Sequence, residues 1–221
     1  MQYQFSVQLS VCSLRMIDNL FDADVPSERQ ELLNKLMHRR VTKLIKYIAG
    51  EGEPETTVKR LGLTNQDAFA LVDGSLYIEF DSEIAVYVGT DDSLNSVCIG
   101  LEFENQIKRE ESLCDDPEFI SVSANNQNYA NPFFKEYVGK ELLGYEIFKQ
   151  VPPSVRHQNL PNEVALVLKF NGYPDIVLSH GLYHNKSIDF AVLQWEQVDK
   201  DVYQTLYKGC EFRKPFKTSL K

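Results

Sequence analysis

Short apolar runs separated by polar turn segments mark residues 164–196, VALVLKFNGYPDIVLSHGLYHNKSIDFAVLQWE. This predicts three short strands joined by two turns. Residues 3–11 alternate cleanly, with Tyr3, Phe5, Val7, Leu9 and Val11 on one face and Gln4, Ser6, Gln8 and Ser10 on the other, which predicts a half-buried strand. Further strands are predicted over 69–72, 76–80, 84–88 and 97–103, with Asp73-Gly74 as a hairpin-type turn between the first two. Leu143, Tyr145, Ile147 and Val151 mark another, ended by Pro152-Pro153. The helical signals are fewer. Ser27 and Gln30 fit a capping box, and Leu32, Leu33, Leu36, Met37, Leu44, Ile45 and Ile48 follow at helical spacing until Gly50. That predicts one long N-terminal helix. Val202, Tyr203, Leu206 and Tyr207, between Asp199 and Gly209, predict a short C-terminal one.

The main β unit has an earlier echo over residues 75–102. Leu76–Phe80 matches Leu166–Phe170, Ile84 and Val86 match Ile176 and Leu178, and Ile99, Leu101 and Glu102 match Leu193, Trp195 and Glu196. A duplicated β unit and two meanders that merely share a pattern both account for the echo. The expected fold class is α+β: mainly antiparallel β meanders with one long N-terminal helix and a short C-terminal helix. One domain over residues 1–221 is expected. Its sub-units, 1–104 and 133–221, would be joined by a long acidic and polar loop, 105–132, and GEGEPETT (50–57) is the candidate hinge.

Charge changes this picture. The net charge is −9, and residues 51–118 carry 17 acidic side chains against 4 basic ones. An acidic middle argues for a basic partner and against direct contact with nucleic acid; a solvated surface is the competing reading. The predicted helix carries Lys35, Arg39, Arg40, Lys43 and Lys46, a basic face that could touch phosphate or meet the acidic segment of its own chain. The acid pairs Asp91-Asp92, Glu110-Glu111 and Asp115-Asp116, with Glu104 and Glu118, are the candidate partner-binding residues. Carboxylates on a loop can imitate phosphates.

Candidate chemistry is sparse. His180 and His184 stand four apart, but Gly181 and the flanking strands place them on a loop and no third metal ligand is evident. His38 and His157 have no acidic or nucleophilic partner nearby in sequence. The chain has no G-x-S-x-G, H-E-x-x-H, Walker or G-x-G-x-x-G signature. The expectation is no catalytic residue, no metal and no cofactor, with a hydrolase built on His180, His184 or His157 as the minor alternative. Cys98 reads as a small core hydrophobe, and Phe133, Phe134, Tyr137 and Trp195 read as core, or as a binding anchor if exposed together. The four cysteines, Cys12, Cys98, Cys114 and Cys210, are widely spaced without a CxxC pair, which fits reduced thiols in a cytoplasm. No apolar run approaches the roughly 20 residues that cross a bilayer.

The run GKELLGYEIFKQ followed by residues 164–196, in all about 137–196, resembles bacterial immunity proteins of polymorphic-toxin and contact-dependent growth inhibition systems. The likeness lies in a GK-plus-strand start, an NG turn and the D-F-A-V strand. It implies a cytoplasmic, non-enzymatic inhibitor of one cognate toxin domain, often a nuclease, and the acidic middle adds the expectation that this domain is basic. A regulatory or scaffold module is the other reading of the same features.

Overall fold

The computed structural model describes residues 22–49, 54–109, 112–185 and 187–212. The predicted strand over 3–11 and the stop at Gly50 lie outside them. Helix α1 spans only Gln30–Leu36, burying Leu32, Leu33 and Leu36. Its N-cap is Arg29 with no side-chain cap, and the Ser27 amide donates instead to Glu163 Oε2 at 2.9 Å. The helix stops where Met37 turns extended and His38 takes a left-handed φ of 64°.

The chain then becomes a strand, β1 (Val41–Ala49), where the spacing predicted helix. This overturns the expected long N-terminal helix and, with it, the α+β assignment. Among the described residues the protein is mostly antiparallel β in two sheets, with 41% strand, about 20% helix and only short helices. The physical reason is that β1 is covered on both faces. Leu44 and Ile48 join the main core, while Ile45 and Tyr47 pack in a second cluster. The strand period is therefore masked, and its β-branched residues decide the outcome.

The first sheet holds β1, β2 (Gly74–Phe80), β3 (Ile84–Asp91), β4 (Ser96–Glu104), β5 (Ile107–Lys108) and β6 (Phe119–Ser123), in the spatial order β5-β4-β3-β2-β1-β6. The second holds β7 (Leu142–Gln150), β8 (Ala165–Phe170), β9 (Tyr173–His180), β10 (Phe190–Leu193) and β11 (Leu206–Phe212), in the order β10-β9-β8-β7-β11. Each sheet is thus a four-stranded meander whose next long strand returns beside the first. Helices α2 (Pro54–Leu61) and α3 (Ala68–Leu71) fill the β1–β2 connection, and α4 (Lys200–Tyr203) precedes β11. The expected strand over 69–72 is therefore largely helix α3, and Gly74 opens a strand rather than turning a hairpin. The expected hinge enters α2 at Pro54. The C-terminal helix ends at Tyr203 and is capped by Asp199, so Leu206 and Tyr207 lie in a strand.

Register refines the echo. Leu76↔Val88 and Ile78↔Val86 in the first sheet correspond to Leu166↔Leu178 and Leu168↔Ile176 in the second. Val86 and Val88 therefore occupy the places of Ile176 and Leu178, two residues from the match that sequence alone suggested. Across β1–β2 and β7–β8 the same registers set Lys46 in the place of Ile147 and Ile45 in that of Glu146.

One buried cluster runs through both sheets, from Leu33 and Phe69 to Val167 and Leu193. The segment 105–132 is no open loop: it forms β5 and β6 and buries Leu113, Val122, Ala124 and Ala130. Phe134 and Tyr137 are buried among Phe69, Phe133, Phe170 and Tyr173, so this aromatic group is core. Trp195 is half-buried against Phe148 and Tyr203. Among the described residues, no helix is long and apolar enough to cross a membrane.

Candidate functional site

Two clefts gather the charged side chains. The first lies at the seam of the two sheets. Asp91 ends β3 and Asp92 opens the β3–β4 turn; Asp73 precedes β2 and Asp189 precedes β10. Asp73 Oδ1 accepts the amides of Asp189 (3.0 Å) and Phe190 (3.2 Å), which pins the start of β10 to the start of β2 across the seam. Asp91 Oδ1 accepts the Ser93 amide and hydroxyl at 2.8 and 2.6 Å, which sets the turn that presents Asp92. The four aspartates, Gly74, Thr90, Cys98 and Phe190 line an open cleft of about 440 Å³, and no lysine or arginine among the described residues lines it.

The electrostatics follow from this crowding. Burial first, and then the carboxylates of Asp73 and Asp92, push Asp189 above the ordinary value. The Ser93 hydroxyl bond holds Asp91 below its ordinary value. His180 ends β9 with Nδ1 3.9 Å from Asp92 Oδ1; burial lowers its pKa despite the pull of Asp92, Asp189 and Asp91. Cys98, on the cleft wall, is pushed up to about 12 by burial and then by Asp91, so it is a poor nucleophile.

The second cleft, of about 540 Å³, lies on the outer face of the first sheet, beside the segment that carries Cys114. Leu113 packs there with Tyr47, Tyr77, Ala85 and Tyr87. Glu79 is saturated, accepting from Thr42 Oγ1 (3.1 Å), Lys43 Nζ (2.8 Å) and the Tyr77 hydroxyl (3.0 Å). Burial raises its pKa, but the Lys43 and Tyr77 bonds outweigh that and hold it low. The Tyr47 hydroxyl donates to Cys114 Sγ at 3.0 Å. Glu102 sits at a bulge in β4: Leu101 and Phe103 pair with Val86 and Ala85, and Glu102 has no residue opposite. Its side chain is buried, and Oε1 accepts from the Ser112 hydroxyl.

No family model, no curated protein and no solved structure matches the chain. The site therefore has to be judged on its own geometry.

The candidate acidic residues do not form one surface. Asp91 and Asp92 join the seam cleft, at the opposite end of β3 and β4 from Glu104. Glu104 pairs with Lys35 at 3.0 Å and Asp115 with Lys108 at 2.6 Å. Asp116 is exposed and accepts the Glu118 amide, and Glu118 is exposed beside it. Glu110 and Glu111 lie outside the described residues. The basic face expected on the helix is dispersed: Lys35 and Lys43 meet acids of their own chain, Arg39 donates to Ser82, Arg40 to Gly139, and Lys46 is buried.

The histidines do not converge. His184 stacks beside Tyr183, and His38 pairs with Glu141 at 2.9 Å. His157 does have a hydroxyl partner, Ser154 three residues earlier, at 2.7 Å. That exposed contact lies within a single 3-10 turn, and no carboxylate hydrogen bond to His157 is present among the described residues to complete a catalytic triad. No group of three or more metal-binding side chains occurs among the described residues. Asp73, Asp189 and Glu102 are not among the residues that the sequence singles out as candidates, and of these only Asp73 carries a signal, in a D-G pair that reads as a turn; Lys46 is singled out, but for a basic helical face rather than a buried strand.

Proposed function

We propose that the chain works by binding, as a cytoplasmic immunity protein that neutralises one basic toxin domain, a nuclease. One observation carries the binding reading: four aspartates from both sheets share a cleft with no lysine or arginine on its wall among the described residues. Carboxylates gathered this way repel one another, and Asp73 and Asp92 add to burial in raising Asp189 above its ordinary value. A cationic surface docked on them relieves that repulsion. The resemblance of residues 137–196 to immunity proteins supports the choice of partner. Acidic residues placed this way compete with nucleic acid for a nuclease's basic surface rather than binding nucleic acid themselves. Long-range attraction raises association to about 10⁸–10⁹ M⁻¹s⁻¹ at low salt. Asp92 and Asp189 are the exposed members and supply most of the steering, with Asp116 and Glu118 adding to the field.

The reading predicts a large modular secreted protein encoded beside this chain, and the test uses its toxic domain. The chain should protect cells that express that domain, and association should slow at least about tenfold from low to physiological salt. The double variant Asp92→Lys, Asp189→Lys should lose protection. Salt-independent association together with full protection by that variant would overturn the reading.

A further inference from the structure

Among the described residues three glutamates are buried, and two of them have cations, as does the partly exposed Glu79. Glu79 has Lys43. Glu146 has Lys169 at 2.8 Å and Lys208 at 2.9 Å. Glu163, fully buried, has Lys149 at 3.1 Å in ion-pair range and the Ser27 amide on its other oxygen. Glu102 is the exception. Its residue is 1% exposed, one carboxylate oxygen takes a single hydroxyl, and Oε2 has no partner.

A carboxylate withdrawn from water without a counter-charge costs several kcal/mol, so its neighbours decide whether it is a structural group or a receptor. Here no neighbouring side chain among the described residues bonds to the second carboxylate oxygen. Glu102 lines the outer-face cleft with Tyr77, Phe103 and Cys114. The two lysines on that wall are engaged elsewhere, Lys43 with Glu79 and Lys108 with Asp115. Arg109 lies over the Tyr87 ring, 4.5 Å from its centre, and reaches Glu102 through its amide, which donates to the Glu102 carbonyl at 3.0 Å. The bulge explains why the acid is there at all, since an extra residue in one strand re-aims a side chain that regular pairing would place elsewhere.

We propose that the outer-face cleft is a receptor for one alkyl cation, the side chain of a lysine or arginine presented by the basic partner, with Glu102 Oε2 as its counter-charge. The identity of that partner rests on the proposed function; the cleft's preference for a cation does not. The aliphatic stem lies against Tyr77 and Phe103, and the charged head meets Glu102 in a site where burial strengthens the pair. The seam cleft steers from a distance, whereas this cleft captures a single side chain.

The probes are Nα-acetyl-arginine amide and Nα-acetyl-lysine amide, with Nα-acetyl-norleucine amide as the neutral control and spermidine as the free-polyamine arm. Amide chemical shifts of the full chain are followed in a titration. The two amino-acid cations should shift Glu102, Arg109, Ser112 and Cys114, and norleucine amide should not. Spermidine binding tighter than both would assign the cleft to a free polyamine and overturn the side-chain claim. Glu102→Gln keeps an acceptor for the Ser112 hydroxyl and should weaken cation binding at least about tenfold.

A second variant guards against a folding artefact. Cys114→Arg places a guanidinium on the wall of the same cleft. It should raise the melting temperature and exclude the probes, and the gain should vanish when combined with Glu102→Gln. Equal binding of cations and norleucine amide, or a Cys114→Arg gain that survives Glu102→Gln, would overturn the proposal. If the probes bind but the toxin domain does not, the proposed function fails and the cleft assignment stands. If the toxin domain binds with Glu102→Gln unaffected, the cleft assignment alone fails.

Discussion

Lys46 offers the sharpest test of the fold's energetics. It lies in the middle of β1 with 0% exposure, and its ammonium has one hydrogen bond, to the Gly74 carbonyl at 3.2 Å. The Phe190 ring centre is 3.9 Å away, so the amine spans from the first sheet to the second. Burial drives its pKa well below the ordinary 10.5, and the attraction of Asp73 recovers only part of that. Replacing Lys46 with Met removes the buried charge while keeping most of the stem. The loss is a hydrogen bond of about 1 kcal/mol and a cation–π contact of about 0.5–2 kcal/mol. The gain is relief of a desolvation cost of several kcal/mol. The expected net is stabilisation of about 1–3 kcal/mol at neutral pH. The pH dependence separates this account from simple repacking. Because the folded pKa lies below the unfolded one, the unfolded chain binds more protons between the two values. Wild-type stability must therefore rise with pH in that window, by up to about 1.4 kcal/mol per unit. Urea unfolding of wild type and Lys46→Met from pH 6 to pH 10 should show the variant's advantage shrinking as pH rises. A gap that stays constant with pH, with the variant the less stable protein, would show that the ammonium is satisfied where it lies and refute the reasoning.

Two further outcomes test the sheets. Burial raises the pKa of Glu146, but its bonds to Lys169 and Lys208 outweigh burial and hold the pKa below 4.5, so its contribution is present above that value and lost as pH falls through the depressed one. Glu146→Gln should cost about 1–3 kcal/mol at pH 7 and flatten the acid limb of the stability profile, measured by thermal unfolding between pH 3 and pH 7; an unchanged acid limb would count against the lysine pairing. Gly74→Ala should be more damaging. A Cβ there would lie 1.9 Å from the Tyr47 carbonyl oxygen, at a φ of +142°. A loss of about 3 kcal/mol or more is expected from denaturant titration, and a near-neutral result would show that the β1–β2 start is looser than this geometry.

The strands that sequence located well are those ended by strong turns. Asn171-Gly172 separates β8 from β9, and the turn after Asp91 separates β3 from β4, so apolar runs on either side could only be strands. Where turns were weak and both faces were buried, period failed. In β1 the inward set Leu44, Lys46 and Ile48 contains a lysine, and the outward set contains Ile45 and Tyr47, so apolar residues fall at helical spacing by accident. Residues 68–71 are all buried, and four apolar residues in a row carry no period at all; their helix depends on the core around Phe69 and Phe134. The site was legible only where acids are adjacent in sequence. Asp91-Asp92 stood out. Asp73 and Asp189 lie 116 positions apart and meet because a side chain of one caps the other's backbone across the seam. Glu102 was hidden because a bulge, which no residue pattern announces, decides where its side chain goes.

The repeated topology turns these exceptions into an argument about function. Where the two sheets superpose by register, Lys46 stands where the second sheet has Ile147, and Glu146 stands where the first has Ile45. Each sheet thus demonstrates that an aliphatic residue satisfies the fold at the position where the other buries a charge. Strand pairing and core packing therefore do not require Lys46 or Glu146. A buried ion that the fold does not need, and that costs stability to keep, is a departure from local consistency of the kind that functional sites accumulate. Glu146 is offset by two lysines and can be explained locally. Lys46 cannot, and it lies directly beneath the seam, held by Gly74 and under the influence of Asp73, both of which line the acidic cleft. Burial disfavours the charged form of Lys46, so it offsets the four aspartates only weakly and leaves them able to recruit a cation from outside.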